Sequence, residues 1–167
     1  MKKLVTLLSL GTVAAFAHTA NVGGGFLSGV MHPLNGFDHF LAMIAVGVLA
    51  AVIPNKKAVF SSFIIAMLIA AIVAFNFGFN FIGMENIILA SIFVISALVY
   101  FAKYLSKYFL VAIIGFFGFT HGFAHGLEFT QGDFTTYVLG FSSMTLALHF
   151  TGYAIANYIK SFKLKMA

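Results

Sequence analysis

The sequence lacks cysteine and arginine, and it has little charge of either sign. Without cysteine the chain forms no disulfide, no thiolate metal site and no thiol nucleophile. Charged residues make up only 8% of its 167 residues, whereas an average soluble domain carries about a quarter. Hydrophobic residues make up 62%, and the mean hydropathy is +1.06. This composition excludes both a water-soluble globule and a disordered chain, and it predicts a protein whose solvent is the lipid bilayer.

All nine basic residues are lysines, and they stand in small groups between apolar stretches. A nucleic-acid-binding protein would carry a basic stripe on a polar background. The net charge of +5 is therefore better interpreted as a membrane-topology signal, and we expect no nucleic-acid partner.

The N-terminus has the pattern of a secretory signal peptide, residues 1–17. Lys2 and Lys3 precede an apolar run that ends at Ala15-Phe16-Ala17, and a charged start, a short apolar run and an Ala-x-Ala end define such a signal. The run is too short to span a bilayer. Cleavage would leave residues 18–167 as one membrane domain; an uncleaved anchor is the alternative.

Five longer apolar stretches follow, and each can cross a bilayer as a helix of about 20 residues. They are Met31–Ile53, Ala58–Phe75, Met84–Ala102, Phe109–Leu127 and Phe134–Ile159. We therefore predict an all-α fold, a polytopic bundle of five transmembrane helices after the signal peptide. With five spans, alternation puts every lysine on the same side, as the positive-inside rule requires. This predicts a bacterial inner-membrane protein with its mature N-terminus outside and its C-terminus in the cytoplasm.

Two clusters of ionisable residues lie inside these spans, where each such group costs about 2.5–3.5 kcal/mol. The first contains His32, Asp38 and His39. On a regular helix the two histidines, seven residues apart, would share a face. Pro33 and Gly36 make this turn irregular, which would swing Asp38 inward as a metal ligand or as a partner that orients a histidine. The alternative is structural, with Asp38 pairing with His39 and capping a helix.

The second cluster contains His121, His125 and Glu128, which fall within about 60° on a helical wheel. Two imidazoles and a carboxylate in one stripe suit Ni²⁺, Zn²⁺, Co²⁺ or iron. The neighbouring stripe is made of small residues, which favour close helix packing: Gly115, Gly118, Gly122 and Gly126. We expect this face to pack on another helix, in one bundle or in a homo-oligomer, while the ligands point at that partner. Histidines bonded to backbone carbonyls are the alternative.

Three further residues are ambiguous when taken singly. Glu85 opens the third span as a ligand or as an interfacial helix cap. His149 lies inside the fifth span as a ligand or as a donor to a neighbouring carbonyl. His18 would chelate metal with the free amine after signal cleavage, or belong to a disordered start. The predicted topology arranges all these groups as a series of metal ligands that descends from the outer surface, which suits a route for a divalent ion.

Both clusters resemble the signatures of the HupE/UreJ family. Residues 32–43 read His-Pro-Leu-Asn-Gly-Phe-Asp-His-Phe-Leu-Ala-Met, which is similar to the family's first-span motif, and residues 121–128 show a His-Gly-x-x-His-Gly-x-Glu pattern. Glu85 and the His149-x-x-Gly152 pattern are also similar. The resemblance implies a small inner-membrane nickel permease that serves hydrogenase or urease maturation. It implies functional roles for the residues of both clusters: His32, Asp38, His39, His121, His125 and Glu128.

We therefore expect a permease that moves Ni²⁺ or a similar divalent metal into the cytoplasm by passive or facilitated transport, and not an enzyme. Nickel would be the transported ion, with no prosthetic group, and cytoplasmic maturation proteins would trap it inside. A membrane redox protein or enzyme that ligates haem or a catalytic metal through its histidines is the first alternative. A proton relay or signalling subunit is the second.

Overall fold

A computed structural model of the chain describes residues 24–78 and 82–166, with side chains as far as Phe162. The predicted signal peptide and His18 lie outside the described residues, and the side chains of Lys163 and Lys165 lie outside the described side chains. Within these ranges six α-helices follow one another, and a short 3-10 turn, Ala102–Tyr104, joins the fourth to the fifth. The helices are α1 Phe26–Asn35, α2 Phe37–Val52, α3 Lys56–Phe77, α4 Met84–Phe101, α5 Lys107–Glu128 and α6 Phe134–Met166.

Polar residues and glycines set the ends of these apolar helices. Ser106 precedes α5 and accepts a hydrogen bond from the backbone N–H of Tyr108 at 3.2 Å. Asp133 precedes α6 and accepts one from the N–H of Thr136 at 2.7 Å. Each bond satisfies a backbone donor that the first turn of a helix leaves unpaired. At the end of α3, Gly78 adopts the left-handed conformation that stops a helix.

The first predicted span, Met31–Ile53, is not a single helix. The chain breaks at Gly36, whose backbone is extended (φ −82°, ψ 104°), and α1 and α2 meet at an angle of 84°. Pro33 lies inside α1, which continues through it to Asn35, so the break itself is at Gly36. The irregular turn expected at Pro33 and Gly36 is thus a sharp bend, which places His32 and His39 on different helices and not on one face of a regular helix.

The predicted all-α membrane bundle is confirmed. Four helices, α3 to α6, are long and apolar enough to cross a membrane, and the bent α1–α2 pair adds a fifth crossing if it counts as one span. Across the described ranges, no segment forms a β-strand. The signal peptide and the single-domain boundary at residue 18 stay predictions.

The glycine stripe of α5 packs against α3 within the same bundle. A Cβ atom built on Gly118, Gly122 or Gly126 would collide with a backbone carbonyl oxygen of α3, that of Phe63, Met67 or Ala71 respectively. Glycine is required here because the two backbones lie closer than any side chain allows. The stripe is thus explained by a contact inside one chain, while the histidines of α5 point elsewhere, toward α1 and α2.

Helix α6 makes the same kind of contact with both halves of the bent pair. Gly140 lies against the backbone of Phe26 in α1, and Gly29 lies against that of Tyr137 in α6. Further along α6, Gly152 lies against the backbone of Ile44 in α2, and Gly47 in α2 lies against that of His149 in α6. These glycine contacts hold α1 and α2 in place against one long helix in spite of the sharp bend between them.

The two ends of the bundle differ in charge. At one end, Lys56 donates a 2.6 Å hydrogen bond to Tyr153, and Lys160 donates to the backbone carbonyl of Ala51. At the other end, α1 begins against the loop that holds Asp133, and α5 ends at Glu128. We call these the lysine end and the acidic end.

The close helix contact predicts opposite effects for the same substitution at two glycines of α5. Alanine is favoured over glycine in a helix by about 1 kcal/mol, and a Cβ on Gly115 meets its nearest atoms at 3.8 Å. Gly115→Ala should therefore leave the protein as stable or more stable. Gly122→Ala should destabilise it by about 1–3 kcal/mol, as overpacking does, because the Cβ would meet backbone that cannot turn away. Thermal unfolding of the protein in detergent measures both, and equal melting temperatures would refute the packing described here.

Candidate metal site

Three histidines from three different helices meet inside the acidic half of the bundle. One ring nitrogen from each of His32, His39 and His125 lies within 4.8 Å of the other two. The ring centroids are 4.6 Å apart for His32 and His125, 5.2 Å for His39 and His125, and 5.6 Å for His32 and His39. His39 and His125 are fully buried, and His32 is partly exposed. Three imidazoles at this spacing are suited to hold one transition-metal ion.

The break at Gly36 makes this meeting geometrically feasible. His32 lies in the last turn of α1 and His39 in the first turn of α2, so the bend turns both rings toward α5. A Cβ on Gly36 would lie 3.1 Å from Nδ1 of His39 and 3.2 Å from Oδ1 of Asp38. Glycine at this position therefore leaves room for the pair of side chains that follows it.

Asp38 orients His39. Its Oδ1 accepts hydrogen bonds from the backbone N–H of His39 at 2.8 Å and from Nδ1 of the same ring at 2.9 Å. With Nδ1 as the donor, Nε2 carries the lone pair that binds a metal. A carboxylate behind a histidine in this way fixes the tautomer and raises the basicity of the ligand. The geometry matches a partner of His39, as both the orienting role and the structural alternative predict, and the three-histidine group forms without Asp38.

Glu128 contacts the same cluster from the end of α5. Its Oε2 lies 3.0 Å from Nε2 of His32, and its side chain is partly exposed. Glu128 therefore joins the partly exposed histidine at the acidic end, where an ion would first meet the cluster.

His121 lies one turn further along α5, toward the lysine end. Its ring is 5.0 Å from that of His39. Nδ1 donates a 2.8 Å hydrogen bond to the carbonyl of Phe117 in its own helix, whereas Nε2 has no hydrogen-bond partner within the described part of the chain. His121 is thus bonded to a carbonyl on one side, and its second nitrogen points into the interior next to the cluster.

Two aromatic residues of α6 form the wall behind the histidines. Phe141 stacks on His125 with ring centroids 4.4 Å apart and an interplanar angle of 8°. Tyr137 lies 6.0 Å from His32, is 2% exposed, and its hydroxyl has no hydrogen-bond partner among the residues described. Sequence reasoning missed both residues, because the chain has 22 phenylalanines and six tyrosines in all. The one signal that could have pointed to this pair is their i, i+4 spacing.

The other predicted ligands lie outside the cluster. Glu85 stands exposed in the first turn of α4, within electrostatic range of His39. His149 is fully buried further toward the lysine end, stacked on Phe60. His18 is not among the described residues. The structure therefore brings together five of the nine predicted residues, with His121 alongside, and metal binding by any of them stays a prediction.

The interior position of these groups matters for function. Ionisable side chains on a helix face directed at lipid would be energetically costly. Instead His39, His121, His125 and His149 each have 0% exposure, and they come from three separate helices. The polar groups share one enclosed interior that extends from the acidic end toward the middle of the bundle.

Comparison with known proteins identifies the family of the chain. The family model described as HupE / UreJ protein matches residues 5–167. The Protein HupE of Rhizobium leguminosarum bv. viciae is 32% identical over 161 residues, which cover 93% of this chain and 83% of that protein. No solved structure matches the chain. Both motifs and nearly the whole chain fall within the match, and the protein is therefore a member of the HupE/UreJ family.

Proposed function

We propose that the protein is a membrane permease for Ni²⁺ or a closely similar divalent transition metal, and not an enzyme. The observation that carries this proposal is the set of three imidazoles, drawn from three helices, within 4.8 Å of one another inside an apolar bundle. Family membership supports a nickel transport role in hydrogenase or urease maturation in general. The direction and the steps of transport are our proposal.

The proposed route begins at the acidic end. Glu128 attracts the cation and passes it to His32, which it contacts directly. His39 and His125 complete the coordination deeper in the bundle. His121, whose ring lies against that of His39, is the next nitrogen ligand on the way to the lysine end.

The proposed direction is toward the lysine end, which the positive-inside rule assigns to the cytoplasm. The membrane potential favours entry of a dication by about 2.3 kcal/mol per charge per 100 mV, so downhill uptake needs no nucleotide. Maturation proteins in the cytoplasm would bind the released ion and keep its free concentration low. The contacts that explain the glycine stripe lie within one chain, so this route does not depend on a homo-oligomer.

Removing one charge tests the role of Asp38. Asp38→Asn keeps the size of the side chain but removes the charge that orients His39 and raises its basicity, so nickel should bind more weakly. The nickel concentration for half-maximal uptake should rise about 10–100-fold. Radiolabelled nickel uptake into proteoliposomes that contain the purified protein measures it.

Asp133→Asn is the matched control. The chemical change is the same, and asparagine caps a helix as well as aspartate does. Asp133 is exposed, and its side chain caps the first turn of α6. Its uptake should equal that of the wild type. If both variants take up nickel with wild-type kinetics, or if both lose it equally, the proposed route is wrong.

The nature of the ligands predicts the selectivity of transport. Imidazole binds borderline metals such as Ni²⁺, Co²⁺ and Zn²⁺, whereas Mg²⁺ and Ca²⁺ prefer oxygen ligands. Excess Co²⁺ or Zn²⁺ should therefore inhibit uptake of labelled nickel, and the same excess of Mg²⁺ or Ca²⁺ should not. Inhibition by Mg²⁺ as strong as that by Co²⁺ would show that the histidines are not the ligands.

A further inference from the structure

Two methionine sulfurs and one hydroxyl meet in the middle of the bundle, away from the histidine cluster. Oγ1 of Thr145 in α6 lies 3.3 Å from Sδ of Met43 in α2 and 3.8 Å from Sδ of Met67 in α3. All three residues have 0% exposure. Three separate helices thus place two polarisable sulfurs and one hydroxyl at one point. Leucine and valine could fill the same space without a sulfur or a hydroxyl.

The direction of the Thr145 hydroxyl is unusual for this protein. Hydroxyls at many other helix positions donate back to a carbonyl of their own helix three or four residues earlier, as do those of Thr120, Ser143 and Thr151. This local bond is the usual way for serine and threonine to be satisfied within an apolar helix. Thr145 instead points across the bundle to sulfurs of two other helices, which are weak acceptors.

His149 lies one helical turn beyond Thr145 on the same face of α6. It is fully buried, and neither of its ring nitrogens has a hydrogen-bond partner in the part of the chain that the structure describes. Burying a polar group without a bond costs about 1–3 kcal/mol. Among the described residues, no carbonyl of a neighbouring helix accepts the hydrogen bond that sequence reasoning considered for His149. The unbonded nitrogens of His149 lie one turn from the hydroxyl that contacts both sulfurs, and a bound ligand would supply the bonds that the described residues do not.

The two groups of side chains are continuous. The His121 ring lies 5.0 Å from His39 in the outer cluster and 5.4 Å from Phe63. On its other side Phe63 lies 5.0 Å from His149, and it precedes Met67 by one turn of α3. His121 is therefore in contact with the outer cluster and separated from His149 by the ring of Phe63.

We propose that Met43, Met67 and His149, arranged around Thr145, form a second metal site that receives the ion from His121. This inference rests on the proposed function and adds a second site to its route. Thioether sulfur and imidazole are softer ligands than carboxylate and water, so the site takes borderline and soft transition metals and rejects Mg²⁺ and Ca²⁺. It also contains no carboxylate, since the four acids of the chain lie toward the acidic end. A neutral site holds a dication less tightly than one with carboxylates, which allows release.

The absence of cysteine makes the test specific. Since the chain has no cysteine and seven methionines, any sulfur bound to a metal in this protein is a methionine thioether. The protein in detergent is loaded with Cu⁺ under excess ascorbate, as a probe that prefers thioether ligands, and desalted. X-ray absorption at the copper edge then shows whether sulfur is bound. We expect sulfur ligands in the wild type.

Volume-conserving substitutions locate the sulfurs. The double variant Met43→Leu, Met67→Leu should lose the sulfur ligands, and leucine is well tolerated in place of methionine. Met84→Leu is the matched control, because Met84 is also buried but packs with Ile88 and Phe123; it should keep them. The double variant should also transport nickel about tenfold more slowly at saturation, equivalent to about 1.4 kcal/mol, with an unchanged half-saturating concentration.

The outcomes separate the two proposals. A wild-type spectrum with nitrogen and oxygen ligands alone overturns the second site, and this measurement requires no variant to fold. Sulfur ligands that persist in the double variant overturn the assignment to Met43 and Met67, and wild-type uptake by that variant overturns the place of the site on the route. In each case the effect of Asp38→Asn on nickel uptake still tests the outer cluster by itself.

Discussion

The architecture depends on the close approach of helix backbones at glycine. In lipid, apolar side chains gain little by leaving their solvent, so helices associate through packing and polar contacts. Gly118, Gly122 and Gly126 of α5 let that helix lie directly against the carbonyls of α3. Glycines on α6 do the same for α1 and α2. With these backbones in contact, the faces that carry histidine are turned toward one another and away from lipid.

This packing encloses polar groups whose charges are unevenly distributed. Asp38, Glu85, Glu128 and Asp133 are at helix ends that alternation places at one end of the bundle, and the described lysines are at the other. Between the two ends, ring contacts connect the outer histidines to His121 and, through Phe63, to His149. On the proposed route, a dication is attracted at the acidic end and then meets neutral ligands in the interior, which hold it less tightly than carboxylates do. Such a decline in binding strength is what transport requires, since an ion must leave as well as enter.

The sequence predicted what depends on local pattern. Hydrophobic length identified the spans, helical spacing placed His121, His125 and Glu128 on one face, and small residues marked the packing face of α5. The bend at Gly36 could not be derived in this way, because Pro33 and Gly36 indicate irregularity without an angle. Nor could the proposed ligands Met43 and Met67, since methionine in an apolar helix has the same pattern as any other core residue. Only the meeting of three helices at Thr145 distinguishes them.

The break at Gly36 makes the geometry of the outer cluster depend on how α1 is held. His32 is four residues from this joint, about 6 Å along α1, whereas His39 and His125 belong to the main bundle. A rotation of about 10° at the joint would displace the His32 ring by about 1 Å, several times the tolerance of about 0.2 Å in a metal–ligand bond. The close contacts of Gly29 and Gly140, which fix α1 against α6, therefore also set the distances among the three imidazoles, although both glycines lie outside the cluster.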